Sequence, residues 1–114
     1  MKKTMAMVAL ATLVAFSAPA VPVFAADADL SAKVTAAKTA ADHEALADEY
    51  EAQAKEAEAR AAAHDKMAAS YKGLGKVSAM HESHCGNIAR RERETAKDLN
   101  ALAEAHRAQA KAAK

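Results

Sequence analysis

Residues 64–81 read HDKMAASYKGLGKVSAMH, and the middle of that stretch decides the architecture. Gly73-Leu74-Gly75 is the one place where two glycines fall together, and it separates two long helix-forming tracts, the first without a breaker. Upstream, residues 32 to 72 are rich in Ala, Glu and Lys, which cost little in a helix. Downstream, a second such tract runs from about 78 to 112, with Ser78 placed to cap it and Gly86-Asn87 as its weak point. Asp27, Asp29 and Ser31 supply acceptors and negative charge where the first helix should begin. Forty helical residues span about 60 Å, so one short connection over 73–77 lays two rods side by side. The expected fold class is all-α: a long antiparallel helical hairpin, alanine-rich and coiled-coil-like.

The facing surfaces follow from periodicity. In the first helix His43, Tyr50, Ala57, His64 and Tyr71 recur every seven residues, with Leu46, Ala54, Ala61 and Ala68 beside them. In the second, His81, His84, Ile88, Thr95, Leu99, Leu102 and His106 follow steps of three, four and seven. Both are coiled-coil periods. Folding about Gly75 then brings His64 near the stretch from His84 to Ile88, and His43 near His106. Large apolar residues are few on this seam, and alanine buries little area at about 25 cal/mol per Å². So thin a core is marginal alone, and the expectation is a homodimer closing into a four-helix bundle, or stabilisation by a ligand.

The N-terminus carries a different signal. Lys2 and Lys3 precede an apolar run from Met5 to Phe16, followed by Ser17, Pro19, Pro22 and the small-residue exit Val23-Phe24-Ala25. A basic end, a short apolar middle and a small-residue exit describe a secretory signal peptide, assigned to residues 1–25, with the hairpin domain over 26–114. The run is too short for a comfortable membrane span, and no cysteine lies at the exit, so no stable membrane anchor is expected. The expected location is periplasmic. Two of the 16 basic residues leave with the leader, so the 15 acidic residues then exceed the basic ones by one. That balance excludes the basic excess that nucleic acid or an anionic membrane would require.

The histidines point to chemistry. All five lie on the two expected seam faces. The turn-proximal end gathers His64, Met67, Met80, His81, His84 and Cys85, with Met80/His84 and His81/Cys85 each spaced i, i+4 so that each pair projects toward one point. Imidazole, thioether and thiolate together suit copper, Cu(I) above all, and with fewer sulfurs zinc. The competing reading is structural: histidines bonded across the interface and methionines filling the core. For His43 with His106 the structural reading is preferred. Cys85, the single cysteine, is a metal ligand, a dimer disulfide or a buried apolar group.

Catalysis is not expected. His81-Glu-Ser-His84 places its histidines three apart, whereas the zinc-protease motif needs four. The absence of CxxCH and of bulky pocket-forming residues argues against haem, and no nucleotide or flavin is expected. An oxyanion hole and a substrate cleft have no counterpart in the pattern. Two functional classes remain: a metal-binding protein, and a structural or interaction module pairing with itself or with another envelope protein.

The repeat HxxLAxxY (His43 to Tyr50) and HxxMAxxY (His64 to Tyr71), then MxxxHC (Met80 to Cys85) and LAxxHR (Leu102 to Arg107), resembles small exported α-helical hairpin proteins of proteobacteria. That set has no assigned activity. The resemblance covers His43 to Arg107 and implies that the histidines and the His84-Cys85 pair belong to a shared pattern.

Overall fold

The computed structural model describes residues 23–113, with side chains from 27 onward. The expected signal peptide, apart from its last three residues, lies outside this range. The described chain is all-helical: α1 is Val23–Ala36, α2 is Ala40–Tyr71 and α3 is Lys76–Ala112. α2 and α3 pack along their length as an antiparallel hairpin, while α1 touches α2 alone. At 1.5 Å per residue the two long helices run about 48 and 55 Å. No helix among the described residues is long and apolar enough to cross a membrane.

The expected single helix over 32–72 is in fact two. The break falls at 37–39, where Thr39 is the N-cap of α2 in extended backbone. Its hydroxyl accepts the Asp42 N–H at 3.1 Å, and Asp42 Oδ2 accepts the N–H groups of Thr39 at 2.9 Å and Lys38 at 3.0 Å. This reciprocal capping box satisfies three donors that a continuous helix would have bonded internally, which offsets part of what the turn costs in hydrogen bonds. α1 folds back on α2, where Lys33 bonds Glu49 at 3.1 Å and Leu30 and Leu46 are both buried. α1 also begins at Val23, upstream of the expected Asp27 to Ser31 start.

At the other end Gly73 and Gly75 take φ of +80° and +111°, so the two-glycine turn is where the reading of residues 73–75 placed it. α3 starts at Lys76, and its cap position, Gly75, makes no side-chain cap bond. Ser78, the expected cap, instead lies two residues inside the helix, half-buried. α3 is unbroken through Gly86-Asn87.

Burial defines the seam. On α2 the half-buried and buried positions form two columns spaced by seven: Ala40, Ala47, Ala54, Ala61, Ala68, and His43, Tyr50, Ala57, His64, Tyr71. On α3 they are Glu82, Ala89, Ala96, Ala103, Ala110, and Ser78, Cys85, Glu92, Leu99, His106. The α2 columns match expectation, with Ala47 replacing Leu46, which serves the α1 contact. The α3 seam keeps Leu99 and His106 where they were expected, and its other positions are shifted by one residue. Cys85, Ala89, Ala96 and Ala103 occupy places assigned to His84, Ile88, Thr95 and Leu102, and His81, His84, Thr95 and Leu102 are exposed. Small residues at the contact let the two backbones approach closely, and the adjacent bulkier side chains are then left at the flank. Eight of the ten buried core residues among those described are alanine, so the hairpin buries little per residue.

The two flanks differ in kind. On one, α2 offers Glu44, Glu51, Glu58 and Asp65 at intervals of seven, facing basic residues of α3. Arg93 pairs with Asp65, and Arg107 Nη2 reaches Glu51 at 2.7 Å and Asp48 at 3.3 Å. The Arg93 guanidinium holds the Asp65 carboxyl below its ordinary value. Such exposed pairs are worth about 0–1 kcal/mol each, so they orient the helices more than they stabilise them. The opposite flank is mixed: Met67 at 41% exposure and Leu102 at 44% stand toward its two ends, with Gln53, Arg60, half-buried Ile88 and Thr95 along it.

Candidate metal site at the turn end

Six side chains were expected to converge near the turn, and the structure divides them. His64 and Cys85 lie on the seam, half-buried, and the thiol is free. The register set by the His43–His106 contact and the Arg60–Glu92 ion pair (3.2 Å) carries these two residues to the same level of the hairpin. Met67 and Met80 are exposed at 41% and 54%, and His81 and His84 are exposed as well. His81 rests against Tyr71, with ring centres 5.1 Å apart and planes inclined at 41°. The one-residue rotation of α3 explains the division: it turns Cys85 inward and carries His81 and His84 out. Among the described residues no three His, Cys, Asp or Glu side chains already stand together at metal-binding distance.

One atom stands out within this region. His64 Nδ1 is buried and has no hydrogen-bond partner. A buried polar atom left unpaired costs about 1–3 kcal/mol, so nearly all such atoms in folded proteins have a partner of some kind. Here the cross-seam neighbour by register is Cys85, whose sulfur is a soft donor and acceptor.

Around the turn the surface is unusually apolar. Leu74 and Val77 are 69% and 67% exposed, next to Met67 and Met80. These four side chains share the hairpin tip with the exposed imidazoles. A concavity of about 220 Å³ lies between α1 and α2 and is lined by Lys33, Asp42, Leu46 and Glu49.

The far end of the hairpin holds geometry that residue spacing did not reveal. His43 and His106, expected to be neighbours, meet through their Nδ1 atoms at 3.1 Å. His106 also lies nearly parallel to Tyr50, at 10° with 5.6 Å between ring centres. Spacing foretold the proximity, since both residues occupy the larger-residue columns, but ring orientation has no signature in the sequence.

The chain matches no protein-family model, and no curated protein or solved structure is detectably similar to it.

Proposed function

We propose that this protein is an exported, periplasmic helical hairpin that binds a transition metal at its turn end, copper in preference to zinc. The observation that carries this reading is the unpartnered, buried Nδ1 of His64 on the same level as the free thiol of Cys85. An imidazole nitrogen and a thiol at one level of a narrow seam would supply the inner pair of a soft-metal site once the thiol is deprotonated. Met67, Met80, His81 and His84 stand exposed within about two turns of it, and small rotamer changes at the apolar tip bring a thioether or a second imidazole to the ion. A metal bound only to the folded state stabilises it by mass action, which suits a hairpin with so little buried area. The role is one of binding rather than catalysis.

The test is a competition titration with Cu(I) under anaerobic conditions on protein purified without added metal or chelator. Replacing Cys85 by Ser or His64 by Gln lowers the affinity at least tenfold, and binding releases the thiol proton. Unchanged affinity in both variants would remove this site.

A second reading is supported by a separate observation, the exposed apolar tip formed by Met67, Leu74, Val77 and Met80, with Leu102 exposed farther along the hairpin. On that reading the hairpin is a structural or interaction module that pairs with a second copy as a four-helix bundle, or with another envelope protein. Sedimentation of metal-free protein separates the two: a tight dimer broken by Leu102→Lys favours the module.

A further inference from the structure

The open end of the hairpin carries an arrangement that shares no residue with the turn. His43 and His106 approach through Nδ1 at 3.1 Å, their ring centres are 5.4 Å apart, and their planes differ by 23°. The difference between those two distances is twice the centre-to-atom radius of an imidazole ring. The centre separation is therefore the largest that a 3.1 Å contact permits. It is reached only when both Nδ1 atoms lie on the line joining the centres. The rings are edge to edge and nearly coplanar, and the two nitrogens aim directly at one another. Nε2 of each ring then points away from the partner.

We propose that His43 and His106 form a two-coordinate site for a soft univalent cation, Cu(I) or Ag(I), held between the two Nδ1 atoms. Two opposed donors on one line are what a d¹⁰ univalent ion takes. Tetrahedral zinc needs its ligands to converge at an angle, and typically four of them. The surroundings fit a weakly hydrated ion. Ala47, Ala103 and Ala110, on the adjoining alanine columns, are at most 5% exposed, and the Tyr50 ring lies beside His106. Metal–imidazole bonds of about 2 Å require the nitrogens to separate to about 4 Å. The rings are half-buried and the adjoining columns are alanine, so Tyr50, beside His106, is the large side chain that has to adjust as they part.

Proton balance follows from the geometry. In the metal-free pair one Nδ1 carries the hydrogen that the other accepts. On binding, the cation takes that hydrogen's place and the proton moves to Nε2 of its own ring. A neutral pair therefore binds the ion with no net proton release, unlike a thiol site, which must lose one.

Silver nitrate is the probe, being redox-inert, added in chloride-free buffer at pH 8 to protein with the turn-end donors removed (His64→Gln, Met67→Leu, Met80→Leu, His81→Gln, His84→Ala and Cys85→Ser). Calorimetry in two buffers of different ionisation enthalpy is expected to show one equivalent bound without proton release. In ¹⁵N-histidine spectra of the same protein, and of the unsubstituted chain, Nδ1 of His43 and of His106 shift together. His106→Gln, checked for retained helicity, abolishes that equivalent. Silver bound with only Nε2 resonances moving, an equivalent that survives His106→Gln, or no binding at all would overturn the proposal and leave an N–H···N hydrogen bond. Failure of the turn-end site appears separately, as unchanged Cu(I) affinity in the Cys85 and His64 variants.

Discussion

Leu99→Ala against Leu102→Ala tests the packing directly, because periodicity placed both leucines on the seam and the structure keeps one. Leu99 packs against Ala54, Ala57 and Ala96, themselves 0–2% exposed, and is the one large aliphatic side chain of the inner columns. Truncation removes three carbons, worth about 0.8 kcal/mol each when fully buried. Leu99 is partly buried, so rather more than half of that is lost, or about 1.5 kcal/mol. The cavity contribution is small because the groove is open enough for its walls and water to refill it. In a domain of this size the melting temperature should fall by roughly 6–12 °C. Leu102, at 44% exposure, lies on the flank of the same helix and should cost no more than about 0.5 kcal/mol. The assay is urea unfolding followed by circular dichroism at 222 nm, at a concentration where sedimentation gives a monomer. A loss at Leu102 equal to that at Leu99 under those conditions would refute the rotated seam. The same equality seen only at high concentration would place Leu102 in a dimer interface.

Further expectations concern the backbone and the cap. Gly86 lies inside α3 with open space where a methyl group would stand, so Gly86→Ala should stabilise the hairpin by about 0.5–1 kcal/mol in the same unfolding assay. Gly75, at φ +111°, should behave oppositely, Gly75→Ala costing about 1–3 kcal/mol although space is equally open. Thr39→Ala should cost about 1 kcal/mol and show as faster amide exchange over residues 38–43. Backbone N–H bonds from Lys38 and Thr39 hold the Asp42 carboxyl below its ordinary 3.8. Its contribution is therefore complete above that value and lost as pH falls through the lower folded one. Protection of the α2 start should persist at pH 5 and disappear in stronger acid; loss already at pH 5 would contradict the cap.

The hairpin itself was legible because its determinants are local: two long helix-forming tracts and one pair of glycines between them. The α2 columns were legible as well, since His43, Tyr50, His64 and Tyr71 mark the seam with bulk. On α3 bulk misled. Leu102 and His84 are larger than their neighbours Ala103 and Cys85, yet small side chains are what permit close backbone approach, and the alanine column won the interface. The break at 37–39 was hidden by the helix propensity of the alanines around it. Its mark is Thr39 with Asp42 three residues on, a capping box with a shorter acid than usual. Of the candidate ligands, only the level of His64 along the hairpin follows from chain register, which the His43–His106 contact fixes. Which side of α3 meets α2 depends on a single-residue rotation, and that is decided by packing rather than by any residue's identity.

A column of small residues repeated every seven positions fits its partner equally well after a slide of one heptad. The acidic flank repeats in step, so Arg93 would pass from Asp65 to Glu58 and Arg107 from Glu51 to Glu44 with their charges still matched. Alignment along the axis is therefore set by few features: the length of the turn, Leu99 against its alanines, and the meeting of His43 with His106. Such a slide would put His43 opposite Leu99 and leave the second imidazole without its partner. Separate α2 and α3 peptides should accordingly mix several alignments, and a chain opened at Gly73 and Gly75 can close onto another copy with the same contacts. The short turn acts as the stop that selects one alignment, and a bound ion between the two imidazoles would lock it.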